Sequence, residues 1–141
     1  MSTNKSFSSE TSERYSRALF EVAKESNQLE KIEEDLRNFK SLLKSSIEIN
    51  NFLKDPTQSI PTQNSFVILL AEKINFSKDL KNFFLLLIIK RRIFFINKII
   101  ESFLRLCSKE RGELKASLIS AKKLSQKEID ELSSDFSRST G

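Results

Sequence analysis

Histidine is absent from the 141 residues, cysteine occurs once as Cys107, and glycine only as Gly112 and Gly141. Each shortage removes a class of chemistry. A lone cysteine cannot form a disulfide within the chain, and without histidine no His/Cys set exists for a zinc site. Two distant glycines cannot build a phosphate-cradling loop or a dinucleotide-binding turn. No metal, nucleotide or other cofactor is therefore expected. With no histidine and no recognisable nucleophile arrangement, a small helical enzyme ranks last among the functional classes. The amino terminus, MSTNKSFSSETSERYS, lacks the apolar core of a secretory signal and any arginine before Arg14, so it reads as a short polar tail. The missing signal and the reduced cysteine usage point to the cytoplasm.

What the chain does have is FFLLLIIKRRIFFINKII, residues 83–100, in which apolar side chains surround Lys90, Arg91 and Arg92. A membrane-spanning helix needs about 20 consecutive apolar residues. Here Phe83 to Ile89 supplies seven before three adjacent cations, each costing roughly 2.5 to 3.5 kcal/mol at a bilayer centre. Direct membrane insertion is excluded on those numbers. The stretch reads instead as two buried helices meeting at the basic cluster. The first runs from Ser77, a capping residue, with Asp79 near its positive end. The second runs from about Ile93, with Ile96, Ile99, Phe103 and Leu106 recurring at three and four residues, and Phe95 and Ile100 widening the stripe. It is predicted to end at Arg111-Gly112, a basic last turn and a left-handed terminator.

The residues before it are also helical in pattern, with both prolines, Pro56 and Pro61, in one connection. From Ser12 to about Ser26, Tyr15, Ala18, Leu19, Val22 and Ala23 share a face. Leu29, Ile32, Leu36, Phe39 and Leu43 then keep a three-four spacing, with Glu33 and Arg37 as an i,i+4 ion pair on the wet side. A short helix over Ile47 to Leu53 stops before Pro56. Another begins near Pro61 and is expected to turn Phe66, Leu69, Leu70 and Ile74 inward. Six helices result, packed as a bundle over residues 1–112.

After Gly112 the period changes. In ELKASLIS, Leu114, Ala116 and Leu118 alternate with Lys115 and Ser117, which suits a short strand. Ser125-Gln126-Lys127-Glu128 then has the form of a capping box before Ile129, Leu132 and Phe136. A lone strand has nothing to pair with, so residues 113–141 are expected to open a second domain that the chain does not complete.

Positive charge concentrates late. Between Lys81 and Arg111 lie eight Lys or Arg against Glu101 and Glu110, a surplus that exceeds the chain's net +5. A basic nucleic-acid-binding helical module is thus the alternative function. Against it, no nucleic-acid motif accompanies the charge, and cations beside a buried helix usually form its solvated face. Cys107 continues an apolar stripe and reads as an inert core thiol.

Three segments resemble one family: RYSRALFEVAKE in the first helix, FFLLLIIKRRIFFINKIIESF in the last two, and RGELKASLISAKKLS after them, with Ser120-Ala121 following the alternating segment. In this order, from about Arg14 onward, the chain resembles the delta subunit of bacterial and chloroplast F-type ATP synthases and its mitochondrial counterpart, the oligomycin sensitivity conferral protein. Two departures stand out. Lys90-Arg91-Arg92 replaces the family's usual Asn-Gly-Arg between the last two helices, and the chain stops at STG, where a carboxy-terminal domain would gather strength.

The resemblance implies a non-catalytic peripheral-stalk subunit that joins the catalytic head to the stator and so contributes to proton-driven ATP synthesis. It implies that the amino-terminal helix of an ATP synthase alpha subunit lies between the first and fifth helices. The residues this assigns are Tyr15, Ala18, Leu19 and Val22, with Phe83, Leu86, Leu87 and Lys90. It further implies contact of the carboxy-terminal part with the stalk b subunits, weak or absent here. Localisation would be peripheral, at the cytoplasmic face of the bacterial inner membrane, without nucleic acid as partner. The isolated chain is expected to be a monomer, since its apolar stripes satisfy one another and leave no heptad seam.

Overall fold

The computed structural model describes the backbone of residues 7–140 and the side chains of residues 7–122. Six α-helices follow in order: α1 (Phe7–Glu25), α2 (Leu29–Ser45), α3 (Ile47–Lys54), α4 (Ile60–Lys73), α5 (Lys78–Ile89) and α6 (Ile96–Thr140), with a 3-10 turn, Ile93–Phe95, before the last. No strand occurs among the described residues. The protein is an all-α helical bundle, as expected. Its contacts divide it into two units, Met1–Cys107 and Ser108–Gly141.

Serines start three of the helices. Ser46, Ser59 and Ser77 are extended, and their hydroxyl oxygens accept from the backbone N–H of Ile49, Thr62 and Leu80 at 3.3, 3.2 and 3.2 Å. Each satisfies one of the donors that a helix start leaves open. Pro61 sits in the first turn of α4, where its missing N–H costs nothing.

Helix ends show how a chain with little glycine turns corners. Asn27, Asn75 and Arg91 take left-handed φ values of 56°, 55° and 57°. In each case the next N–H reaches five residues back, from Gln28 to Ala23, Phe76 to Ala71 and Arg92 to Leu87, at 2.8, 2.9 and 2.7 Å. This is the Schellman closure, usually given to glycine. Asparagine tolerates that conformation, whereas arginine is strained in it. Arg91 has a compensating tie: its guanidinium donates to the Gln58 carbonyl at 2.9 Å, joining the α5–α6 turn to the α3–α4 connection.

The interior of the first unit is aromatic at its centre. Phe39 lies 5.0 Å from Phe84 and 5.8 Å from Phe76, and Phe76 and Phe84 are 5.4 Å apart between ring centroids. Such tilted and edge-on pairs add to the burial of each ring. Phe20 of α1 meets Phe103 of α6 at 6.1 Å, and below them the buried hydroxyls of Ser16 and Ser102 bond at 2.7 Å. The buried Asp35 carboxylate fixes α5 against α2: one oxygen accepts from the Ser77 backbone N–H at 3.0 Å, the other from Lys31 at 2.9 Å. A carboxylate at a helix start also favours the dipole.

Several expectations need correction. The helix α1 begins at Phe7, so most of the supposed polar tail is helical, while residues 1–6 lie outside the described residues. Glu33 pairs with Arg37 at 2.8 Å, but Glu33 is buried and not on the wet side. In α4 Gln63, Val67 and Ala71 are buried and the expected Phe66 and Leu70 are half-buried against the core, whereas Leu69 and Ile74 are exposed. The run Phe66 to Ala71 is apolar at every position, so spacing could not select its inner face.

The largest correction concerns residues 108–140. No terminator acts at Gly112, no strand forms over 113–120, and no new helix starts at Ser125; α6 runs through all three places. A strand satisfies its backbone only across a ladder, while a helix satisfies it within itself. Leu114 and Leu118 are four apart, which fits a helix as well as it fits alternation. The side chains of the predicted capping box and of Ile129, Leu132 and Phe136 lie outside those described.

Candidate partner-binding groove

Along α1, Arg14, Ala18 and Val22 recur every fourth residue, flanked by Tyr15 and Leu19; along α5, Asp79, Asn82, Phe83 and Leu86 recur at three and four. Helical rows of this kind put side chains on one face. These nine residues line a trench of about 440 Å³ between the two helices. Tyr15 and Phe83 form its floor, with ring centroids 6.4 Å apart and planes at 65°. Leu19 and Phe83 are buried beneath, whereas Val22 is 45 % and Leu86 42 % exposed. Ala18 is exposed too, a small side chain on the rim that permits close approach.

The helices flanking the trench run in opposite directions. Arg92, just past the end of α5, sits over the Phe7 ring at the start of α1, 5.5 Å from its centroid, and Phe95 stacks edge-on with Phe7 at 6.2 Å. Tyr15 is eight residues further along α1, yet it meets Phe83, nine residues back from Arg92. Val22 therefore lies towards Asp79, and Arg14 towards Leu86. Gln28, just beyond α1, borders a neighbouring cleft together with Asp79, as this direction requires.

Of the eight residues predicted for the groove, six line it: Tyr15, Ala18, Leu19, Val22, Phe83 and Leu86. Two do not. Leu87 is completely buried in the core, because it follows Phe83 by four on the inward side of α5. Lys90 caps the end of α5 and is not among the lining residues. Arg14, Asp79 and Asn82 went unseen because apolar periodicity skips polar residues, though all three continue the same rows. Elsewhere, no group of three or more His, Cys, Asp or Glu among the described residues could hold a metal ion.

The pattern of known proteins agrees with this architecture. The family model for the ATP synthase delta (OSCP) subunit matches residues 11–141. The chain belongs to that family. Among its relatives, the ATP synthase subunit delta of Pelagibacter ubique is 39 % identical over 138 residues, 98 % of this chain and 75 % of the relative. That of Dinoroseobacter shibae is 34 % identical, over 99 % of this chain and 75 % of its own length. A chain in the cryo-EM structure of the Toxoplasma gondii mitochondrial ATP synthase hexamer superposes with a TM-score of 0.63 at 28 % identity, over 70 % of this chain and 53 % of that one. The chain thus spans three quarters of these bacterial relatives and about half of the Toxoplasma chain. As a delta-family member it is a structural rather than a catalytic subunit, associated with the ATP synthase complex. No described helix is long and apolar enough to cross a membrane.

Proposed function

We propose that this subunit is a non-enzymatic connector of the peripheral stalk, and that the α1–α5 groove receives the amino-terminal helix of an ATP synthase alpha subunit. The supporting observation is the trench itself. It is an open apolar channel between two helices, with Val22 and Leu86 left half in water. An amphipathic helix laid into such a groove buries its own apolar face and that of the groove together. Exposed apolar patches of this kind mark docking surfaces more often than chance placement. Residues 113–141 are the part proposed to face the stalk b subunits. Holding the head against rotor drag requires attachment at both ends, which fits a mechanical role at the cytoplasmic face of the bacterial inner membrane.

Ala18→Asp tests the groove. A carboxylate on the rim of the groove is desolvated when an apolar helix docks, a cost of about a few kcal/mol that Arg14 one turn away offsets only in part, so affinity for an alpha-subunit amino-terminal peptide should fall by roughly tenfold or more. Because Ala18 is exposed in the free subunit, the melting midpoint should stay where it was. Unchanged binding would reject the groove as the site. A collapsed midpoint would mean that Ala18 supports the core.

A further inference from the structure

We infer that the groove has an electrical direction, set by Arg14 at one end and Asp79 at the other, and that it fixes which way round an amphipathic helix docks: one with an acidic first turn and a basic last turn lies parallel to α1. This rests on the groove being a helix-docking site. Arg14 and Asp79 are the two charged residues that line the trench. The antiparallel course of α1 and α5 places them at opposite ends, Arg14 beside Leu86 and Asp79 beside Val22. Neither side chain forms an ion pair or hydrogen bond among the described residues. Asp79 is partly accounted for by the start of α5, where a carboxylate is favoured by the helix dipole. Arg14 has no such explanation: it stands exposed at the mouth of an apolar channel.

The charge order of the occupant follows from two requirements. Its carboxylates must meet Arg14 and its cations Asp79, since like charges brought together in an excluded channel would oppose docking. A helix with acids in its first turn and bases in its last is also stabilised against its own dipole, so it loses less on ordering. Both requirements are met when the occupant starts at Arg14 and ends at Asp79. The flanking helices run opposite ways, so their dipoles do not choose between the two orientations. The side-chain charges do.

Two synthetic peptides of about 15 residues, near the length where an isolated helix becomes marginally stable, test this on the full chain. They share one leucine and isoleucine stripe. One carries glutamates in its first turn and lysines in its last; the other has the charges exchanged. At low salt a spin label on the amino end of each peptide should report its direction: the first peptide should place that end beside Leu86, near Arg14, and the second should lie the other way round with it beside Val22, near Asp79, each keeping its acids on Arg14. In the double variant Arg14→Glu, Asp79→Lys both directions should reverse, with the fold checked by circular dichroism. Intrinsic helicity of the peptides cannot produce that reversal. The same direction for both peptides, or directions unchanged in the double variant, overturn the electrical direction, while sensitivity of both peptides to Ala18→Asp would leave the groove standing. If neither peptide binds the unmodified chain, the groove reading falls and this one with it.

Discussion

The two parts of α6 share a backbone conformation and little else. Over residues 96–107, Ile96, Ile99, Ile100, Phe103, Leu104 and Cys107 are buried; over residues 108–122 nothing is, and Leu114, Leu118 and Ile119 stand 58 %, 62 % and 45 % exposed. One continuous helix therefore combines a segment held by tertiary packing with one held by its own hydrogen bonds. Most helical stability in proteins comes from packing an apolar face, and residues 108–122 bury no side chain that would supply it. The difference teaches that equal secondary structure does not mean equal stability.

Hydrogen exchange would expose that difference most strongly. Amides of 96–107 should open only with the whole unit, at a cost of several kcal/mol, whereas those of 108–122 should open at nearly none. The protection ratio is expected to reach roughly a thousandfold or more. Equal protection across Cys107 would break the comparison and show that residues after it have found packing of their own.

Truncations of side chains come next in size. Phe103 is fully buried and meets Phe20, so Phe103→Ala should cost about 3 to 5 kcal/mol. Leu118→Ala removes a side chain standing mostly in water and should change stability by less than about 0.5 kcal/mol. Urea denaturation of the two variants side by side checks the pair. A cost at Leu118 approaching that at Phe103 would place Leu118 in a core.

The same contrast explains what was legible in the sequence. Helix α2 could be read residue by residue: Ile32, Leu36, Phe39 and Leu43 repeat with mostly polar residues between them, and all are buried. The start of α5 at Ser77 was legible from capping chemistry. Helix α4 was not, because six consecutive apolar residues leave no polar face to orient it. Residues 113–120 misled for a different reason: their alternation suits a strand, but a strand needs a neighbour, and none is present among the described residues. In the groove, the apolar residues were assigned by the family resemblance, and spacing showed only that those of α1 share a face. Leu87 lies in the core and not in the groove, a distinction hidden in the sequence because Phe83 to Ile89 is apolar at every position, and Arg14 and Asp79 were missed because only their position makes them part of the site.

Gly112→Ala has the smallest expected effect and separates the two segments most cleanly. Gly112 lies within α6, does not adopt a left-handed conformation, and would present an added Cβ with no atom within 4 Å. Alanine there should favour the helix by about 1 kcal/mol over glycine, through lower backbone entropy in the unfolded chain. If the segment after Cys107 frays independently, that gain stays local. Circular dichroism at low temperature should then show slightly more helix, and exchange near residue 112 should slow by up to about fivefold, while the melting midpoint of the bundle does not move. If the two segments instead unfold together, the full gain appears in global stability and the midpoint rises. The substituted chain retains every contact of the bundle, so a rise in the midpoint has one reading: the helix transmits order across Cys107, and the distinction between its packed and unpacked segments is one of contacts but not of cooperativity.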